Sequence, residues 1–142
     1  MDLYEHYYTP IYRKELVATS SLFVVPIYIH HMSNIEIPWI LQKLIIVQGF
    51  VSITFWWNPI VNRFTIIHKI DKVLARISIS SVIGYKILHN PTLLFTFSII
   101  VMFYFFYLSN VYSRKSWCSK PHILCHCIAH ISAHNSIYLA FI

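Results

Sequence analysis

Four histidines recur at every fourth position near the C-terminus: His122, His126, His130 and His134. On a helix, residues four apart lie on one face about a turn from each other. His122 and His126 are therefore spaced to ligate one metal ion, as paired helical histidines commonly do. The ladder drifts by about 40° per step at 3.6 residues per turn, so all four rings do not reach one ion. Further ligands must come from other segments. Two other polar clusters break apolar sequence. Ser52 stands shortly before Trp56, Trp57, Asn58 and Pro59, and His68 opens a run that holds Asp71, Lys72 and Arg76.

The elements that must position these residues follow from composition. The 142 residues are 57% hydrophobic and 17% aromatic, with 11% charged, against about 25% charged in an average soluble domain. Such a chain has too little polar surface to cover a water-facing globule. An ordinary soluble enzyme, a disordered tail and a collagen-like rod are excluded. The composition predicts an all-α integral membrane bundle, residues 1–142 forming one domain. Apolar runs bounded by charge or proline predict about five transmembrane helices at 16–31, 38–57, 70–88, 92–112 and 121–142, near the roughly 20 residues a span needs. Pro26 is expected to kink the first. The third carries the most charge, with Asp71, Lys72, Arg76 and Lys86.

Loop charge gives the orientation. Arg13 and Lys14 precede the first span, Arg63 and Lys69 lie between the second and third, and Arg114, Lys115 and Lys120 lie between the fourth and fifth. The other connections hold no Lys or Arg. This alternation predicts a cytoplasmic N-terminus and an exoplasmic C-terminus. The net charge of +6 is then a topology signal, and no nucleic-acid partner is expected. The same topology brings Ser52, Asp71, His122 and His126 to one leaflet. Ionisable groups there cost about 2.5–3.5 kcal/mol at mid-helix, which makes them functional candidates. Asp71 lies near the boundary, where a modest change in helix start would sink it.

Ser52, then Asp71 early in the next span, then two histidines four apart in the last resembles the pattern of the CREST membrane hydrolase superfamily. That group includes alkaline ceramidases, hemolysin III-related proteins and progestin and adipoQ receptors. The resemblance implies a helical bundle with zinc near the cytosolic face, with Ser52 and Asp71 as catalytic residues and His122 and His126 as metal ligands. Trp56 stands where the family has a further zinc-binding histidine. His68, assigned as the third ligand, His130 and Cys127 are the available substitutes. The chain is also about two spans shorter than the family. The implied chemistry is that of a short, divergent zinc-dependent lipid amide hydrolase, ceramidase-like or an inactive relative. Zinc would lower the pKa of a bound water toward about 7, Asp71 would orient or deprotonate it, and Ser52 would hydrogen-bond the developing oxyanion.

Each residue also has a plainer role. Ser52 can bond back to its own helix, and Asp71 can pair with Lys69, Lys72 or Arg76. His130 and His134 are expected to hydrogen-bond neighbouring helices. Trp39, Trp56 and Trp57 read as an interfacial belt, with Asn58 and Pro59 ending the span. Lys72 and Arg76 share a face and are expected to snorkel toward anionic headgroups. Cys118 is a palmitoylation candidate. Haem ligation by His126 or His130 would need a facing histidine from another span. The alternative to an enzyme is a structural or assembly membrane protein, for example a viral membrane component, with the bilayer as its partner and no catalysis.

Overall fold

The computed structural model describes residues 13–57 and 65–142, and every described element is helical. Asn58, Pro59 and Arg63 lie outside the described residues. Six α-helices follow one another: α1 (Arg13–Ser21), α2 (Val25–Met32), α3 (Trp39–Trp57), α4 (Ile66–Leu88), α5 (Leu93–Lys115) and α6 (Lys120–Ala140). The apolar segments of the sequence thus become helices with ends shifted by a few residues. Two of them, α3 and α5, are long and apolar enough by themselves to cross a membrane.

The first segment keeps running past Pro26. A 3-10 turn over Leu22–Val24 joins α1 to α2, with the Val25 N–H donating to the Leu22 carbonyl. Pro26 has no N–H to offer that carbonyl, so the tighter bond formed one residue earlier replaces the α-helical one.

Helix α4 starts earlier than the sequence predicts. Thr65 caps it, its hydroxyl accepting the His68 N–H at 3.3 Å, as β-hydroxyl residues do at helix N-termini. Asp71 is therefore the sixth residue of α4 and about 7.5 Å along its axis at 1.5 Å per residue. Thr92 caps α5 in the same way, through the Phe95 N–H. Asn34, Asn90 and Cys118 take left-handed φ values of 54°, 65° and 57° between helices. Asn tolerates that region well. At Cys118 the unusual backbone aims its N–H at His122, with consequences for the site below.

Helix α6 is the centre of the bundle. It packs against α1, α2, α4 and α5, while α3 closes the back by packing on α1 and α4. Helix α5 rests almost wholly on α6. Although a short turn joins α4 to α5, the two hardly touch along their lengths. Small residues let α5 and α6 approach. Ser98 Oγ donates to the Ser132 carbonyl at 3.1 Å and accepts from Ser136 Oγ at 2.9 Å and from Asn135 Nδ2 at 3.3 Å.

Many polar side chains lie inside and many large apolar ones outside. Ser20, His30, Gln48, Ser52, Asp71 and Lys86 are buried, while Phe50, Phe97, Ile100 and Tyr107 face outward. Trp39 and Trp57 are also exposed, as a belt would require, but Trp56 is not: it is 1% exposed. Its ring turns inward instead, onto Trp117 and toward the His122 and His126 rings.

Candidate functional site

Most of the sequence's polar clusters meet around one cavity of about 440 Å³ between α3, α4, α5 and α6. Its polar wall carries His68, Asp71, His122, His126 and His130. The histidine ladder runs up this wall, with ring centroids 5.8 Å apart for His122–His126 and 4.6 Å for His126–His130. Helix α6 is central, so its polar stripe is enclosed instead of facing outward.

Asp71 is held from α3. Gln48 Nε2 donates to its Oδ1 at 2.9 Å, and Ser52 lies close to the same carboxylate. Ser52 itself is not on the cavity wall. It is 1% exposed, and its Oγ is 3.0 Å from Ser20 Oγ. The hydroxyl therefore bonds across helices, not back to its own, and sits behind Asp71. Ser20 continues the chain, with its Oγ 3.4 Å from His130 Nδ1.

The hydrogen bonds at Nδ1 separate the three ladder histidines. Thr19 Oγ1 donates to the Leu16 carbonyl at 3.3 Å, so its oxygen is placed to accept from His130 Nδ1, 3.2 Å away. Ser109 Oγ lies 2.9 Å from His126 Nδ1 and can accept in the same way. With the proton on Nδ1 a ring keeps its Nε2 lone pair, the arrangement in which an outer hydroxyl orients a metal-binding imidazole. His122 is the reverse. Its Nδ1 accepts the Cys118 backbone N–H at 3.1 Å, so the neutral ring carries its proton on Nε2. It offers a donor, not a lone pair.

Neither family models, curated proteins nor solved structures match this chain. The resemblance to the CREST hydrolases rests on the residues themselves.

Against that pattern, the structure gathers Asp71, His68, His122 and His126 on one cavity, with Ser52 immediately behind Asp71. His68 is stacked on Phe55, ring centroids 4.6 Å apart, and lies 5.2 Å from Trp117. Among the described residues, no three His, Cys, Asp or Glu side chains are gathered closely enough to hold a metal ion. The donor set fits zinc in part: two imidazoles one turn apart, each with its Nδ1 occupied by a hydroxyl. The pair with that arrangement is His126 and His130, not His122 and His126. Trp56 packs 5.2 Å from the His126 ring, filling space beside it.

Sequence reasoning missed Gln48, Ser20, Thr19 and Ser109. Short polar residues inside apolar helices are common, and only their partners on other helices single these out. Histidines at the far end are engaged structurally. His30 donates Nε2–H to the Tyr138 carbonyl at 3.2 Å, and His89 donates Nδ1–H to the Tyr85 carbonyl at 2.9 Å. Neither is turned toward His126 or His130, as shared haem ligation would require.

Proposed function

We propose that this chain is a multispan membrane protein of about five spans, with its N-terminus cytoplasmic, and that its polar cavity is a zinc-dependent site for hydrolysing lipid amides. What supports the bilayer is the apolar exterior. Large apolar side chains point outward on every long helix while serines, histidines, Gln48 and Asp71 lie inside. In water, each such side chain left exposed would forgo roughly 1.5–3 kcal/mol of burial. In lipid the same surface is favourable, and the polar groups must satisfy one another inside.

The single observation that carries the hydrolase reading is the meeting of Asp71, fixed by Gln48, with His126 and His130, fixed by Ser109, Thr19 and Ser20. His126 and His130 would hold the zinc, with His68 the further imidazole on the cavity wall. Zinc, when bound, supplies an acidified water and a Lewis acid for the substrate carbonyl. Asp71 would accept the proton of the attacking water. His122, with its proton on Nε2, would donate to the oxygen that becomes negative. Ser52 would position Asp71 from behind.

Zinc content of the detergent-purified full chain tests the reading. About one zinc per chain, lost in His126→Ala/His130→Ala, supports it. Absence of zinc in the wild type, after purification without chelators, would overturn it. That result would favour the second reading, a structural or assembly membrane protein. Two observations support this alternative: Trp56 packed beside His126, and no third ligand gathered among the described residues.

A further inference from the structure

The gap between α4 and α5 makes the cavity open sideways. Lys72, Arg76 and Ile79 form one lip and Phe103, Tyr107 and Asn110 the other, all on the cavity lining. Phe103 and Tyr107 are exposed, so this lip faces the surrounding phase. Beyond the histidines the cavity turns apolar between Ile45, Met102, Ala133 and Ile137. Its size suits one small ligand or a single acyl chain.

Arg76 is the anomaly at this opening. It lies ten residues after Ile66, about 15 Å along α4 at 1.5 Å per residue. Its guanidinium is permanently charged. Among the described residues no hydrogen bond or ion pair engages it, and it is exposed on the lip. Asp71, the carboxylate on the same wall, is held by Gln48 from α3. A cation at this depth of a span calls for an anionic partner. Lys72, one turn earlier on the same face, adds positive charge to the lip while also interacting with Asp71.

We infer that the cleft between α4 and α5 admits a phosphate-bearing lipid, with its phosphate on Arg76 and Lys72 and one acyl chain in the deep apolar end. A phosphate monoester carries about −1.5 to −2 charges near neutral pH and suits the bidentate guanidinium of Arg76. The inference rests on the membrane and lipid-site reading above and narrows its substrate from a neutral lipid amide to a phosphorylated one.

A matched pair of probes tests it: ceramide 1-phosphate and ceramide, both with brominated acyl chains, offered to the full chain in phosphatidylcholine nanodiscs. Bromine quenches tryptophan, and Trp56 and Trp117 line the cavity. Trp39→Phe/Trp57→Phe removes the two that face outward. The phosphorylated probe should quench saturably with at least about ten-fold tighter binding, the gain of one good charge-assisted contact. Arg76→Gln should shrink that preference to within about two-fold, Arg76→Lys should keep most of it, and Arg114→Gln should leave it intact. Inorganic phosphate at millimolar concentration should not displace the lipid. Equal binding of the two probes would overturn the inference, as would equal losses in Arg76→Gln and Arg114→Gln, which mark bulk attraction to the surface. Displacement by inorganic phosphate would also overturn it, because the site would then take the anion without its lipid. Zinc content, measured on the same samples, separates the two ideas. Zinc without phosphate preference sinks this inference alone, and phosphate preference without zinc sinks the hydrolase alone.

Discussion

The backbone N–H of Cys118 donates to Nδ1 of His122 across 3.1 Å. A left-handed turn at Cys118 makes this bond, and it commits the first histidine of the ladder to a donor's role. His122→Ala should therefore retain most bound zinc, while His126→Ala and His130→Ala should each lose most of it. Loss of a ligand costs far more affinity than the 10–100-fold typical of an outer-shell partner. Metal analysis of the three single variants checks this, and zinc lost only from the His122 variant would reverse the assignment.

Gln48 is a strut for Asp71. Gln48→Leu removes the donor from a buried carboxylate and should destabilise the protein by about 1–3 kcal/mol, the cost of an unsatisfied buried polar group. Asp71→Asn should lose less in the Gln48→Leu background than alone. Thermal melts in detergent of the two singles and the double give the coupling, and strict additivity would mean the pair does not interact.

Ser20 joins Ser52 on α3 to His130 on α6 at a fully buried position. Ser20→Ala should cost about 1 kcal/mol, and Ser20→Val more, by overpacking. The more specific readout is the imidazole nitrogen chemical shift of His130. It should show a proton on Nδ1 in the wild type and a mixed tautomer in Ser20→Ala/Thr19→Val. An unchanged shift would show that the hydroxyls do not set the tautomer.

Ser98 binds α5 to α6 through three hydrogen bonds. Ser98→Ala should lower stability by about 0.6–2 kcal/mol, the range for polar contacts between helices in a membrane. Because α5 rests almost wholly on α6, the loss should appear as easier proteolysis in the turn that joins α4 to α5. Equal protection in the variant would show that packing alone holds α5.

Burial raises the Cys118 thiol to a pKa of about 11, from an ordinary value of 9.0. The thiolate is the reactive form, so alkylation at pH 8 should be slow and should rise about ten-fold per pH unit toward 11. The sign for folding follows. The thiol is protonated in both states below 9, so its contribution is complete there and is lost as pH climbs from 9 toward 11. Rapid labelling at pH 7 would contradict this. The same burial makes Cys118 a poorer acylation target than its position near a loop suggests.

The helical segments, their approximate ends and the crowding of polar residues toward one end were legible in the sequence. Apolar run length, capping residues and charge are local properties, each readable without knowing what packs where. Even the start of α4 could have been placed better, since Thr65 stands three residues before His68 as a cap should.

Tertiary structure decided the rest. A histidine every four residues drifts around its helix, so which partner meets each ring depends on how α6 is rotated among its neighbours, and no local pattern records that rotation. It put hydroxyls at Nδ1 of His126 and His130 and the Cys118 N–H at that of His122. Trp56 and Trp57 are adjacent and chemically alike, yet one packs inside and one faces out, because a helix turns by about 100° between them. Gln48, Ser20 and Ser109 gained their roles only from partners on other helices. The cleft between α4 and α5 arises because two helices adjacent in sequence both pack on α6 and not on each other.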